Sequence, residues 1–401
     1  MRILKSIIVC IVVVLLFSYW HKSDNMLFAM AESNQSSEIT EQEIKNEVFN
    51  RIDEIEFGDF EDFYENELNG GFFSETTLTE KIKEIISTGE IISVSEVISI
   101  AFGGVLDNIT NVLKLVSLIV VIVGFGSFSS LLEGLSKKRS GISSIVNFFV
   151  LSIILSLVAS IIADFVSDTC FLLTQMKRVM EMIFPILLSL LVTVGGSTTS
   201  RVLQPAVVVL TSTVIETMVF LTTTVTTIYL VLSVLSELSN EVKLNKLKGF
   251  VASTYKWIVG FVFTIFMGFL SLSGITAGGA DGISIKTAKY AIKSYIPLVG
   301  GYVSDSYEIF RVCTVLVKNS IGVLGVIVLF AIVARRVVNL IIYNLGFKLA
   351  SGLAEPISSG KISAFLSSLS TIFNFLIAGI VSCFLLGCLT MVVVISSANV
   401  G

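Results

Sequence analysis

Glu216 is the first residue that demands a chemical explanation. It stands inside a long, threonine-rich apolar run, Pro205–Leu235. An ionisable side chain within a membrane-length apolar segment is costly, so it faces other helices or water. Helical spacing puts Glu216, Thr223 and Thr227 on one stripe and Thr213, Thr217 and Thr224 on an adjacent one. Two readings are open. Either the stripe lines a solute pathway, or the threonines bond their own i−4 carbonyls and Glu216 pairs with Arg201 or a nearby lysine.

A second concentration of polar groups lies at Gly274–Ser306, between two long apolar segments. Glycine pairs stand near each end, Gly278–Gly279 and Gly300–Gly301, with Asp281 just inside one and Asp305 just outside the other. Between them Ile285, Ala288, Ile292, Tyr295 and Ile296 form an apolar helical stripe, and Lys286, Lys289 and Lys293 form a cationic one beside it. Asp281 or Ser284 is placed to cap the start, and Pro297 to end it. The pattern predicts a glycine-hinged re-entrant or interfacial hairpin, because backbone that leaves helical geometry at membrane depth must be buried in protein or line water. The plain alternative is a surface loop with a helical turn.

Nothing else offers catalytic, cofactor or metal chemistry. The paired carboxylates Asp53/Glu54 and Glu61/Asp62 read as a solvated acidic face, because no pocket-forming sequence surrounds them. The single histidine, His21, lies in a segment expected to be removed. Cys10, Cys170, Cys313, Cys383 and Cys388 lack metal-ligand or CxxC spacing and read as small core residues. GGSTTS at 195–200 lacks the lysine and frame of a Walker motif, and GFGS at 124–127 lacks a dinucleotide-fold setting. Basic residues are dispersed without interleaved aromatics, which gives nucleic-acid binding no support.

The elements that must position these residues follow from composition. The 401 residues are 54% hydrophobic and 14% charged, with mean hydropathy +0.90. Soluble domains carry about a quarter charged residues, so these figures and the long apolar runs specify an all-α, polytopic helical membrane protein. Charge is unevenly spread. Residues 32–111 hold 19 acidic and 4 basic residues, net −15, and residues 112–401 hold 11 acidic and 20 basic, net +9.

Residues 1–31 read as a signal peptide: Arg2 and Lys5, an apolar run of 11 at Ile7–Phe17, then Ala29–Met30–Ala31. An uncleaved anchor is the alternative. Either way residues 32–111 are expected to be an extracytoplasmic acidic helical segment with a thin core, and 112–401 a membrane domain. Its strong apolar segments are 112–132, 142–166, 179–196, 205–235, 250–272, 312–333 and 372–395, with a weaker, interfacial 337–354. If every segment crosses, the Lys243/Lys246/Lys248 and Arg335/Arg336 clusters fall outside, against the positive-inside rule. If one segment between 139 and 243 fails to cross, both move inside. The short, proline-containing Val179–Gly196 is the candidate for a re-entrant hairpin.

From about Pro185 to Phe330 the sequence resembles the stage III sporulation protein AE family of endospore-forming Firmicutes. The resemblance is carried by GGSTTSRVLQP, by LSGITAGGADGISIKTAKYAIKSYIPLVGGYVSDSYE and by LVKNSIGVLGVIVL. It implies a non-enzymatic membrane subunit of the mother-cell complex around the forespore. Its partners would be the other proteins of the stage III sporulation A operon, and stage II sporulation protein Q across the intermembrane space, in a channel or secretion apparatus. Possible homo-oligomer formation belongs to the same expectation. A stand-alone permease and a non-conducting membrane scaffold are the alternatives.

Overall fold

The computed structural model describes residues 41–68, 76–88, 109–135, 140–238, 244–295, 300–356 and 360–397. The expected signal peptide lies outside them. Within them the chain is helical, with no strand. Three short helices come first: α1 (Glu41–Asp53), α2 (Asp59–Phe63, continuing as a π-helical turn, Tyr64–Leu68) and α3 (Leu78–Thr88). The apolar helices follow: α4 (Ile109–Leu135), α5 (Ser140–Thr193), α6 (Ser197–Val208), a π-helical turn (Val209–Val214), α7 (Ile215–Leu238), α8 (Asn245–Tyr295), α9 (Gly300–Ala354) and α10 (Gly360–Ser396). Among the described residues five helical stretches are long and apolar enough to cross a membrane, and a shorter apolar one lies at Leu113–Phe128.

Several expected breaks are absent. The expected spans 142–166 and 179–196 lie on one helix, α5, so Val179–Gly196 is not a re-entrant hairpin. The residues between them, SDTCFLLTQMKR, lower hydropathy but include no glycine or proline, and charge interrupts an apolar run without interrupting a helix. Pro185 is carried inside the same helix. Likewise 312–333 and 337–354 are one helix, α9, continuous through Arg335 and Arg336. Arg336 donates to Asp168 in the middle of α5 at 2.7 Å rather than marking a loop. At 54 residues α5 is about 80 Å long, far beyond the roughly 30 Å of a hydrocarbon core.

The glycine hinge is also corrected. Helix α8 runs unbroken through Gly278–Gly279 to Tyr295. A glycine keeps its N–H, so it weakens a helix by about 1 kcal/mol without stopping it. Gly300 and Gly301 form the first turn of α9, with Asp305 in the second. Pro297 lies outside the described residues, two positions after α8 ends. Lys286, Lys289 and Lys293 lie on the helical backbone of α8.

The α9–α10 hairpin is the centre of the bundle, and α5, α7 and α8 pack around it with broad outward apolar faces. Phe330, Phe347, Phe365, Phe373 and Phe384 fill it. Polar groups within it pair with each other: Asn344 donates to Asn374 at 2.8 Å, and Ser370 donates to Asn344 at 2.8 Å. The acidic segment does not stand apart. Its core of Val48, Ile52, Phe60 and Ile82 is closed, and the Arg51 guanidinium lies 4.0 Å over the Phe310 ring of α9. Burial pushes the Tyr64 hydroxyl in this core up to about 12.

Helices come into close contact at Gly379. A Cβ there would sit 2.7 Å from Thr222 Oγ1 and 3.1 Å from the Tyr255 hydroxyl. Those two hydroxyls bond each other at 3.1 Å, and Tyr255 donates on to the Phe375 carbonyl at 2.8 Å. Gly379→Val should therefore lower stability by about 1–3 kcal/mol through overpacking. Gly260, with open space around it, provides the contrast: Gly260→Ala should raise stability by up to about 1 kcal/mol. Unfolding of the two variants in detergent checks the pair.

Candidate functional site

The turn from α5 into α6 is built by two glycines. Gly195 has φ +93°, a conformation open to glycine and strained for other residues. Its N–H bonds the Val192 carbonyl at 3.0 Å, and the Gly196 N–H bonds Leu191 at 2.9 Å, which closes α5 in a Schellman motif. A side chain at Gly196 would run into Leu191, 2.6 Å from its Cδ1. Gly196 is also the N-cap of α6, so this helix starts with no capping side chain of its own.

The missing acceptor arrives from 82 residues away. Asp281, on α8, is 2% exposed, and its carboxylate accepts the Thr198 N–H at 2.9 Å and the Thr199 N–H at 2.8 Å. These are the N2 and N3 amides that an N-cap aspartate would serve. The positive end of the helix dipole favours the carboxylate, and the carboxylate satisfies the buried amides. Asp281 caps α6, not its own segment. The GGSTTS turn thus has the form of an anion site whose anion is internal.

A matching arrangement closes α10. Lys318, fully buried on α9, donates to the carbonyls of Val394 at 3.3 Å, Ile395 at 2.9 Å and Ser397 at 2.5 Å. A cation here meets the negative end of the helix dipole and the last unpaired carbonyls together. Ile395 and Leu187 both approach Gly322, one turn beyond Lys318, so the two caps share one end of the bundle. At the other end Lys248 reaches Glu237 at 3.2 Å and Ser368 at 3.4 Å, all three largely buried.

A family model described as stage III sporulation protein AE matches residues 76–398, a span that contains Glu216, Asp281 and Lys318. The chain belongs to the stage III sporulation protein AE family. It is 25% identical over 224 residues to the stage III sporulation protein AE of Bacillus subtilis (strain 168). The match covers 54% of each chain, so this chain spans about half the length of that curated relative. No solved structure matches.

In this family member Glu216 lies on the face of α7 toward α5. Its side chain is 63% exposed and pairs with Lys177 of α5 at 2.5 Å. Glu181 stands 3.9 Å from the same Lys177. The threonines behave as i−4 back-bonders: Thr223 to Val219 and Thr227 to Thr223, each at 2.9 Å. Thr223 Oγ1 also meets Cys170 Sγ at 3.1 Å. Thr211 and Ser212 bond the carbonyls of Val207 and Val208 at the π-helical turn. Of the expected site residues, Glu216, Thr223 and Thr227 share the α7 face toward α5, while Asp281 lies apart at the capped end.

Lys318 was not singled out by the sequence reasoning, although it is the sole charge between Arg311 and Arg335. A lone cation in an apolar run needs carbonyls or a carboxylate, and helix C-termini supply carbonyls.

Asp281→Ala should expose two buried donors to no partner and lower stability by about 1–3 kcal/mol. Asp281→Asn, which keeps one acceptor oxygen without the charge, should recover part of that loss. Thermal unfolding of both variants in detergent tests the ordering Asp, Asn, Ala. Equal stability of Asp281→Ala and the unmodified chain would contradict the cap.

Proposed function

We propose that this chain is a multi-pass subunit of the membrane complex that joins mother cell and forespore during sporulation, and that it acts by assembly rather than catalysis. Membership of the family supports the sporulation role. The observation that carries the assembly reading is the way the described charges inside the bundle are satisfied. Asp281 and Lys318 close helix ends, and Glu237 is held by Lys248. With α9 and α10 packed through the middle, a conduit belonging to this complex would run between chains. The filled core favours a scaffold over a self-sufficient permease.

The helix connections support an orientation. Lys246 and Lys361, at the starts of α8 and α10, gather at one end, where Lys248 reaches Ser368. The positive-inside rule makes that end cytoplasmic. The acidic helices α1–α3 then face the space between the membranes, within reach of stage II sporulation protein Q and the products of the stage III sporulation A operon.

Affinity capture from sporulating cells should bring down the other proteins of that operon. Capture of the chain alone would count against the complex. A cysteine replacing Lys246 should resist an impermeant thiol reagent applied to intact cells, and labelling from outside would reverse the orientation. The purified chain in liposomes should pass no small solutes, and solute flux would restore the permease.

A further inference from the structure

The acidic helices do not cover α5 completely. Between the 56–66 segment and residues 178–186 of α5 lies an open groove of about 640 Å³, room for about one and a half turns of helix. Its floor is apolar on the α5 side, where Met182 and Ile186 are partly exposed, while Phe60 and Phe63 lie buried beneath the other wall. Its rim is anionic. Glu56, Asp59, Asp62 and Glu181 line it, against Arg178 as the single cation. Glu56, Asp59 and Asp62 are exposed and form no ion pair among the described residues. The segment that supplies them, 41–68, holds 11 acidic and 2 basic residues.

An apolar floor within a carboxylate rim selects its occupant. Apolar side chains on one stripe would fill the floor while flanking lysines or arginines meet the rim, which is the pattern of a cationic amphipathic helix. An anionic lipid surface or a nucleic acid would be repelled. A second copy of this chain fits poorly. The chain's lysine stripe at 286–293 lies beyond Asp281, on the order of 20 Å further along the bundle than the groove. Copies in one membrane stand at the same height, so that stripe and this groove cannot meet.

We propose that the groove is the docking site for a cationic amphipathic helix of a partner protein in the extracytoplasmic space. The inference rests on the orientation that places α1–α3 on that side. Contact with Met182 and Ile186 adds to the affinity, and the rim carries recognition and the rate of encounter.

The test uses the full chain in nanodiscs and a fluorescent leucine–lysine amphipathic peptide about four turns long. A glutamate-for-lysine version of the peptide serves as comparison. The lysine peptide should bind and weaken with salt, and the glutamate peptide should not bind. Asp59→Lys/Asp62→Lys, and separately Glu181→Lys on the opposite wall, should each weaken binding by about tenfold or more. Glu355→Lys, near the other end of the bundle, should leave it unchanged. Binding untouched by either rim reversal, or none up to roughly 100 μM, overturns the groove. Capture from sporulating cells separates this from the larger reading. Partners retained by both the unmodified and the Asp59→Lys/Asp62→Lys chains overturn the groove alone. Partners on neither overturn the complex, and partners lost only from the variant support the groove.

Discussion

A helix that begins inside a packed bundle leaves its first amide hydrogens facing protein instead of water, and something must accept them. In this chain the acceptor is Asp281, delivered to the start of α6 by a helix that passes it 82 residues later. The interaction is electrostatic in both directions. An unpaired buried carboxylate would be prohibitive, and unpaired buried amides would each be costly. Together they form a charge-assisted pair that ties α8 to the α5–α6 turn. Lys318 does the converse at the end of α10, where backbone carbonyls take the place of a counter-ion.

With both caps at one end, α5, α6, α8, α9 and α10 are fixed against one another by polar contacts that apolar packing cannot supply. Helices in lipid gain little from burying leucine against leucine, because lipid is equally apolar. Close approach and hydrogen bonds must specify the arrangement instead. Gly379 against Thr222 and Tyr255, and Asn344 against Asn374 and Ser370, do so farther along the bundle.

Much of the architecture was legible from residue order: the helical class and the long apolar runs. What failed was segmentation. Lys177 and Arg178 break a hydropathy window, and Arg335 and Arg336 do the same, but none of them breaks a helix. Gly278 and Gly279 looked like hinges because glycine permits a turn, yet permission is not instruction when the flanking residues continue a helix. The partner of Glu216, Lys177, lies 39 positions earlier, out of reach of local spacing. Asp281 was read as a helix cap, which it is, and given the wrong client. Local spacing cannot show that a glycine N-cap elsewhere in the chain lacks an acceptor.

The capped end of the bundle depends most on the contact between Asp281 and the first turn of α6, and amide hydrogen exchange reads that contact without altering the chain. In the unmodified protein the Thr198 and Thr199 amides should exchange slowly, with protection comparable to the interior of α6. Free exchange at both positions would mean that Asp281 does not hold that turn, and the capped end of the bundle would have to be abandoned.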